Sequence, residues 1–278
     1  MRRHILIISI LLLVPGLASA HQPRIVESAE TIVVDPEISK AYYGELTGEP
    51  HLFLIEAPKE FALYANILVP DVVGVSKDVS VEITRGDTEI ARIGGADRVW
   101  EHYYEEFAGD WYWRGPAYAS QAPPGSYVLR VSSPDNRGKY ALAVGEIEAF
   151  DGAEILNVLS LMPRLKRDFF ETQPAAFLLS IGGAGIVIVL FVLSFAFTLL
   201  LRLVLRRFNL HRGCAAHHNI GVRGRALRLI LAAALLAVAV ATSWNPLVIA
   251  LSGFVFAETV LGWCVFCAIF GKKICPTR

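Results

Sequence analysis

The sequence predicts a membrane protein in two parts: an extracytoplasmic, antiparallel all-β sandwich, followed by an α-helical region of three transmembrane helices. Three observations predict it. Residues 24–149 break into short runs rich in Val, Ile, Tyr and Phe, separated by Gly/Pro turns, with no long helical periodicity. Residues 172–201 and 229–257 contain no charged side chain, and stretches of that length suit a hydrocarbon core of about 30 Å. The charge divides at the same place. Residues 21–174 carry 14 Lys+Arg against 25 Asp+Glu, whereas residues 175–278 carry 10 against a single acid, although the chain of 278 residues is neutral overall. A mean hydropathy of +0.46 agrees with membrane segments.

The opening "MRRHILIISILLLVPGLASA" has a basic start, a short apolar run and Ala18-Ser19-Ala20, the pattern of a secretory signal peptide over 1–20 cleaved before His21. An uncleaved anchor is the alternative. Residues 21–150 form the expected sandwich, with strands at "TIVVD", "HLFLIEA", "FALYANILV", "VSVEIT", "SYVLRVSS" and "KYALAVGEIE". None of the four cysteines falls before residue 214, so no disulfide framework holds this part. "PPGSYVLRVSSPDNRGKYALAVG" reads as a hairpin, opened by Pro-Gly and turned by "SPDNRG".

Between the strands, "WEHYYEEFAGDWYWRGPAY" holds eight aromatics in residues 100–118. Trp100, Tyr104, Trp111 and Trp113, with Glu105, Glu106 and Asp110, are the candidate ligand-binding residues. Rings stack on a sugar or another flat ligand, and carboxylates supply hydrogen bonds or hold Ca²⁺. The alternative is a long loop packing its rings over the sandwich edge. Residues 151–173 place Ile155, Leu159, Met162, Leu165 and Phe169 at helical spacing, with Arg164, Lys166 and Arg167 among them. They read as an amphipathic juxtamembrane helix on the membrane surface, kinked at Pro163, or as a linker helix packed on the sandwich.

The first transmembrane helix is expected over 174–204 and a cytoplasmic basic loop over 205–222. A membrane hairpin over 223–278 follows, with helices at about 225–242 and 247–270 divided by "SWNP". Arg202, Arg206, Arg207, Arg212, Arg223, Arg225 and Arg228 lie between the first two spans, and Lys272, Lys273 and Arg278 follow the third. The positive-inside rule therefore places that loop and the C-terminus in the cytoplasm. The expected location is the inner (cytoplasmic) membrane, multi-pass, with the β part outside.

"NIGVRGRALRLILAAALLAVAV", a turn and "GWCVFCAIFGKKIC" together resemble the YgaP-like inner-membrane domain, a family of small two-helix membrane modules. Asn219, Gly221, Arg225 and Arg228 before the first helix carry the resemblance, with Gly262, Cys264, Gly271 and Cys275 after the second. Gly224 stands where the family usually has an acid, and Cys267 where it usually has an aromatic. The resemblance implies anchoring and a dimer through the transmembrane helices. The family's sulfur-transfer role belongs to a rhodanese-type domain, whose active-site loop is absent from this sequence. More weakly, residues 41–146 resemble pre-peptidase C-terminal-type domains, which implies a jelly-roll-like sandwich with a binding or spacing role.

Three readings of the cysteines stay open. Cys264, Cys267 and Cys275 are candidate thiol or redox residues, with Lys272 and Lys273 to favour a thiolate. They are equally small apolar residues at a helix end. A metal would need more ligands, for which Cys214, His211, His217 and His218 are weak candidates. Glu258, deep in the third span, is the intramembrane polar residue: it reads as a buried interhelical hydrogen-bonding group with Ser252 or Ser194 as partner, the alternative being a proton or solute relay.

The function these features predict is a membrane-anchored extracytoplasmic binding or interaction protein. Its expected partners are membrane lipid, a second copy of itself and an outer ligand, without nucleic acid and without a cofactor. The alternative is a membrane protein handling sulfur species or redox chemistry through Cys264, Cys267 and Cys275. No nucleophile elbow, phosphate loop or zinc-protease helix marks an enzyme.

Overall fold

A computed structural model describes residues 21–208, 219–241 and 245–270. They divide between Ala176 and Phe177 into two compact units. The expected signal peptide and the residues Cys214, His211, His217, His218, Lys272, Lys273 and Cys275 lie outside the described residues.

The first unit is built on two sheets. One has the strands β1 (Gln22–Ile25), β3 (Lys40–Thr47), β11 (Arg137–Val144), β5 (Phe61–Pro70), β9 (Asp110–Ala122) and β8 (Glu101–Glu105), in that order. The other has β2 (Glu30–Ile32), β4 (His51–Ala57), β10 (Gly125–Ser132), β6 (Ser80–Arg85) and β7 (Thr88–Gly94). Pairing is antiparallel except at one edge of each sheet, where β1 lies parallel to β3 and β2 parallel to β4. Alternation explains the core. Leu63, Ala65, Ile67 and Val69 of β5 and Tyr140, Leu142 and Val144 of β11 share one buried cluster with Phe53 and Ile55 of β4, Val81 and Ile83 of β6, and Tyr127, Leu129 and Val131 of β10.

That cluster corrects the expected hairpin at residues 123–145. β10 pairs with β4 and β6, and β11 with β3 and β5, so the two strands stand in opposite sheets. Both bury every second side chain in the common core, and two strands facing one core from opposite sides satisfy that pattern as well as paired neighbours do. The turn between them is held by Ser133 and Asp135, which accept from the Arg137 amide at 3.0 and 3.1 Å. Tyr140 lies flat against Gly44 and bonds His51 Nδ1 at 2.7 Å; a Cβ at residue 44 would sit 2.5 Å from the phenol oxygen.

Residues 152–169 pack on the outer face of the six-stranded sheet. The helix α1 (Gly152–Arg164) is capped by the Asp151 carboxylate, which accepts from the Glu154 amide at 2.8 Å. Glu154 pairs with Arg24 of β1 at 2.7 Å. Pro163 removes a donor in the last turn, and the chain continues as a π-helical turn over Leu165–Phe169. Val158, Met162, Leu165 and Phe169 are buried, while Ile155 is about half exposed. Of the two expectations for this segment, the structure describes the helix packed on the β layers.

The second unit is helical: α2 (Ile181–Arg207), α3 (Val222–Ala241), α4 (Pro246–Leu261) and α5 (Val265–Phe270). α2 and α3 are each long and apolar enough to cross a membrane, and α4 is apolar but has 16 residues. Ser180 caps α2, accepting from the Gly183 amide at 3.1 Å, and Asn245 caps α4, accepting from the Leu247 amide at 2.9 Å. α4 contacts both α2 and α3. Ser194 donates to the Ala250 carbonyl at 2.9 Å, and Ser252 donates to the Ala232 carbonyl at 2.8 Å.

The single helix expected over 247–270 is corrected. Gly262 adopts φ 58°, ψ 28°, and ends α4 with a left-handed cap whose amide faces the Glu258 and Thr259 carbonyls. A glycine inside an apolar run reads as a tolerated helix residue, but only glycine enters this conformation without a steric cost.

Candidate functional site

The aromatic stretch is not a loop. It forms the β8–β9 hairpin at the free edge of the six-stranded sheet, with His102 opposite Trp113, Tyr103 opposite Tyr112, and Tyr104 opposite Trp111. Alternation then sorts the candidate residues onto two faces. One face carries His102, Tyr104, Trp111 and Trp113. His102 stacks on Trp111 with centroids 4.4 Å apart and lies 4.7 Å from Trp113; Tyr104 lies 4.9 Å from Trp111. The Lys77 ammonium stands 3.4 Å over the Trp113 ring. Asp71 ties the row down, accepting from Trp113 Nε1 at 3.0 Å and bonding His102 Nε2 at 2.8 Å. Trp113 is thus engaged on its ring and its N–H. Trp111 and Tyr104 remain 49% and 42% exposed, so the ledge offers one indole and one phenol to solvent. Trp100 lies apart: its Nε1 donates to the Gly95 carbonyl at 3.1 Å and its ring packs on the core.

The acids divide as well. Glu106 is exposed at the hairpin turn. Glu105 and Asp110 are directly opposed across the ladder on the other face, under the π-helical turn. Glu105 accepts from the Phe107 and Ala108 amides at 2.7 and 2.8 Å, and burial pushes its carboxyl up to about 6. Asp110 receives Lys166 Nζ at 2.6 Å in a pair whose side chains are 4% and 1% exposed. Lys166 also donates to the Ala108 carbonyl at 2.7 Å. Burial raises the Asp110 carboxyl in spite of Lys166, and its Oδ2 has no hydrogen-bond partner among the described residues. Neither acid reaches the ledge.

In the helical unit the polar residues converge on the break at Gly262. Asn219 clamps the backbone there. Its Nδ2 donates to the Cys264 carbonyl at 2.9 Å, its Oδ1 accepts from the Cys264 amide at 2.7 Å, and its own amide donates to the Gly262 carbonyl at 3.1 Å. Glu258 Oε1 accepts from the Val265 amide at 2.8 Å and Oε2 lies 3.4 Å from Arg228 Nε. This corrects the expected partners of Glu258, because both serines donate to backbone carbonyls instead. Cys264 is buried just before α5, and its sulfur accepts from the Cys267 amide at 3.4 Å. The two thiols therefore do not share a continuous helix face. Among the described residues no group of three or more His, Cys, Asp or Glu is placed to hold a metal.

Sequence reasoning missed His102, Asp71 and Lys77 on the ledge, and Lys166 beneath it. His102 had a legible signal, two residues before Tyr104 in an alternating run. So did Lys166, which falls four residues after Met162 and eight after Val158, within the apolar stripe.

Residues 216–278 match the family described as inner membrane protein YgaP-like, transmembrane domain. The match covers the segment that resembled this family in sequence, and four of the eight residues that carried the resemblance, Asn219, Arg228, Gly262 and Cys264, meet at the break between α4 and α5. No curated protein matches the chain. Among solved structures, the pre-peptidase C-terminal domain of collagenase from Bacillus anthracis is 11% identical, with 45% of this chain and 95% of that one covered, at a TM-score of 0.26. The Yersinia pseudotuberculosis-derived mitogen is 14% identical over 42% and 92%, at a TM-score of 0.27. A β-glucosidase from Kluyveromyces marxianus is 16% identical over 41% of this chain and only 13% of its own, at 0.22. At such scores these likenesses say nothing about ligands.

Proposed function

We propose that this protein is an inner-membrane receptor or tether whose β unit, read as a sandwich, stands outside the cytoplasm and holds a flat, neutral saccharide on the Trp111–Tyr104 ledge. The observation that carries the reading is the exposed pair itself. A half-exposed indole is braced from behind by His102, Trp113 and the Asp71 carboxylate. A ring fixed in advance loses little freedom on binding, and the C–H face of a pyranose stacks on an indole. In this reading residues 1–20 are removed, α2 and α3 cross the membrane, and α4 with α5 makes a third crossing broken at Gly262. The YgaP-like module anchors the chain, with Arg202 to Arg228 on the cytoplasmic side. In this reading Cys264 and Cys267 belong to the framework of that module: Asn219 clamps the Cys264 backbone, and the Cys264 sulfur takes the Cys267 amide with the Arg228 side chain beside it.

Isothermal titration of the full chain in lipid nanodiscs with chitohexaose and cellohexaose tests the ligand class. Binding of at least one is expected, weakened tenfold or more by Trp111→Ala and unchanged by Trp263→Phe. No heat with either sugar sinks the ligand class. Orientation is tested separately by fusing a reporter active only in the cytoplasm after Arg278; an inactive fusion sinks the topology.

A further inference from the structure

The hairpin's second face holds a cluster that the ledge does not use. Glu105 and Asp110 are paired residues of β8 and β9, so their side chains leave one rung on the same face, with the Glu105 oxygens turned to the Phe107 and Ala108 amides. Like charges directly opposed on a ladder destabilise it, and burial enlarges the cost. One cation, Lys166, answers two acids. The other groups that face them are neutral: the Tyr43 hydroxyl of β3, bonded to that of Tyr112 in β9 at 3.2 Å, and Tyr103 of β8. His21 lines the same cavity of about 70 Å³ as Glu105, but burial holds its imidazole towards the neutral form. From α1, Val158 and Met162 complete the lining and bring no charge. With both acids ionised the cluster carries one uncompensated negative charge away from water, and Asp110 Oδ2 has no donor to receive it.

We propose that the Glu105–Asp110 pair is a proton-operated clasp: one proton taken up by the pair keeps residues 152–169 seated on the sheet, and its loss to solvent loosens that seat. The geometry makes the coupling direct. Lys166 bonds both Asp110 and the Ala108 carbonyl in the hairpin turn, and Phe169 and Phe170 pack edge-on against Tyr43, at 5.0 and 6.3 Å. Lifting the π-helical turn exposes both acids to water, where an ionised carboxylate is favoured. Closing it again requires a proton. Protonation and seating are therefore the same equilibrium seen from two sides. Eleven residues separate the end of the seated segment at Phe169 from the start of the apolar α2 at Ile181, so the clasp sets how much further chain is freed between the β unit and the first apolar helix. Mild acid shortens that link and mild alkali lengthens it.

Hydrogen exchange of residues 152–170, in the full chain in nanodiscs and corrected for intrinsic rates, reads the clasp at pH 5.0 and 7.5. A carboxyl moved from its ordinary 4.5 to about 6 makes protection about eightfold weaker at the higher pH. Glu105→Gln should abolish that difference and hold protection at pH 7.5 near the acid value. Glu101→Gln, on the same strand but ion-paired to Arg114 in the open, should leave it intact. A pH difference that persists in Glu105→Gln overturns the proposal, as does wild-type protection that is flat or stronger at pH 7.5. Should Glu105→Gln fail to fold, infrared difference spectra of the wild type decide. A protonated-carboxyl band that disappears between pH 5.0 and 7.5 supports the clasp, and its absence overturns it.

Discussion

Among the described residues, each unit places an acid–base pair away from water, and the two pairs are finished differently. In the β unit, Lys166 meets Asp110 at 2.6 Å with both side chains out of water, and a second acid, Glu105, is left beside them. In the helical unit, Glu258 meets Arg228 at 3.4 Å, Arg228 keeps a quarter of its side chain exposed, and the second oxygen of Glu258 takes the Val265 amide. The first pair has a surplus acid and an orphan oxygen. The second has a partner for each carboxylate oxygen. The first is the cluster on which the proposed clasp rests; the second ties the end of α4 to the start of α5 across the break at Gly262. The same contrast explains why Asn219, a neutral amide, holds the break at Gly262: two hydrogen bonds to one backbone residue need no counter-ion.

The largest test of the comparison is Lys166→Ala. It strands Asp110 in the dark side of the hairpin and is expected to cost about 3–5 kcal/mol in denaturant unfolding of the β unit. Replacing both partners, Lys166→Met with Asp110→Leu, should recover most of the loss; failure to do so would show that the pair does more than satisfy itself. Next comes Asn219→Ala, which leaves the Cys264 amide and carbonyl unpaired. About 2 kcal/mol is expected from two buried bonds, read as a lowered midpoint in thermal unfolding in detergent. Glu105→Gln acts with the opposite sign. The Glu105 carboxyl titrates higher in the fold than in the unfolded chain, so its contribution is full below pH 4.5 and is lost as pH rises through about 6. Neutralising it should therefore stabilise the protein at pH 7.5 by up to about 2 kcal/mol and change nothing at pH 4. The smallest effect is expected for Trp111→Ala, under about 1 kcal/mol in unfolding despite its loss of ligand, whereas Trp100→Ala, packed on the core, should cost more than twice that.

Residue patterning made some of this legible and hid the rest for identifiable reasons. Alternation in "HLFLIEA" and "FALYANILV" marks strands with one buried face, and both are strands. "KAYYGELT" was overlooked because its outer face is also half-buried, under Phe169 and Phe170, so the run shows no clean alternation. Alternation also tells which way a side chain faces and not which strand lies beside it, hence the misplaced hairpin of β10 and β11. Charge and apolar length located the helical half, and the residues flanking its two later helices pointed to the YgaP-like family whose model matches there. They did not reveal that Gly262 breaks the last helix, or that Glu258 looks back to Arg228, thirty residues earlier in the chain. Exposure of Trp111 against engagement of Trp113 was illegible too, since it depends on Lys77 and Asp71, which lie outside the aromatic stretch.

The strand order has a consequence for how the β unit comes to exist at all. β10 and β11 are the last strands in the chain, yet each fills an inner place in its sheet, between β4 and β6 and between β3 and β5. Until residues 125–144 arrive, each sheet is two separate fragments with open edges. Nothing made earlier can close over the core, so the domain condenses only once its final strands are delivered, through contacts between residues far apart in the chain. Such non-local assembly is slow. A stalled or truncated product ending near residue 120 would therefore present unpaired strand edges, and is the form of this protein most prone to aggregate or to be degraded.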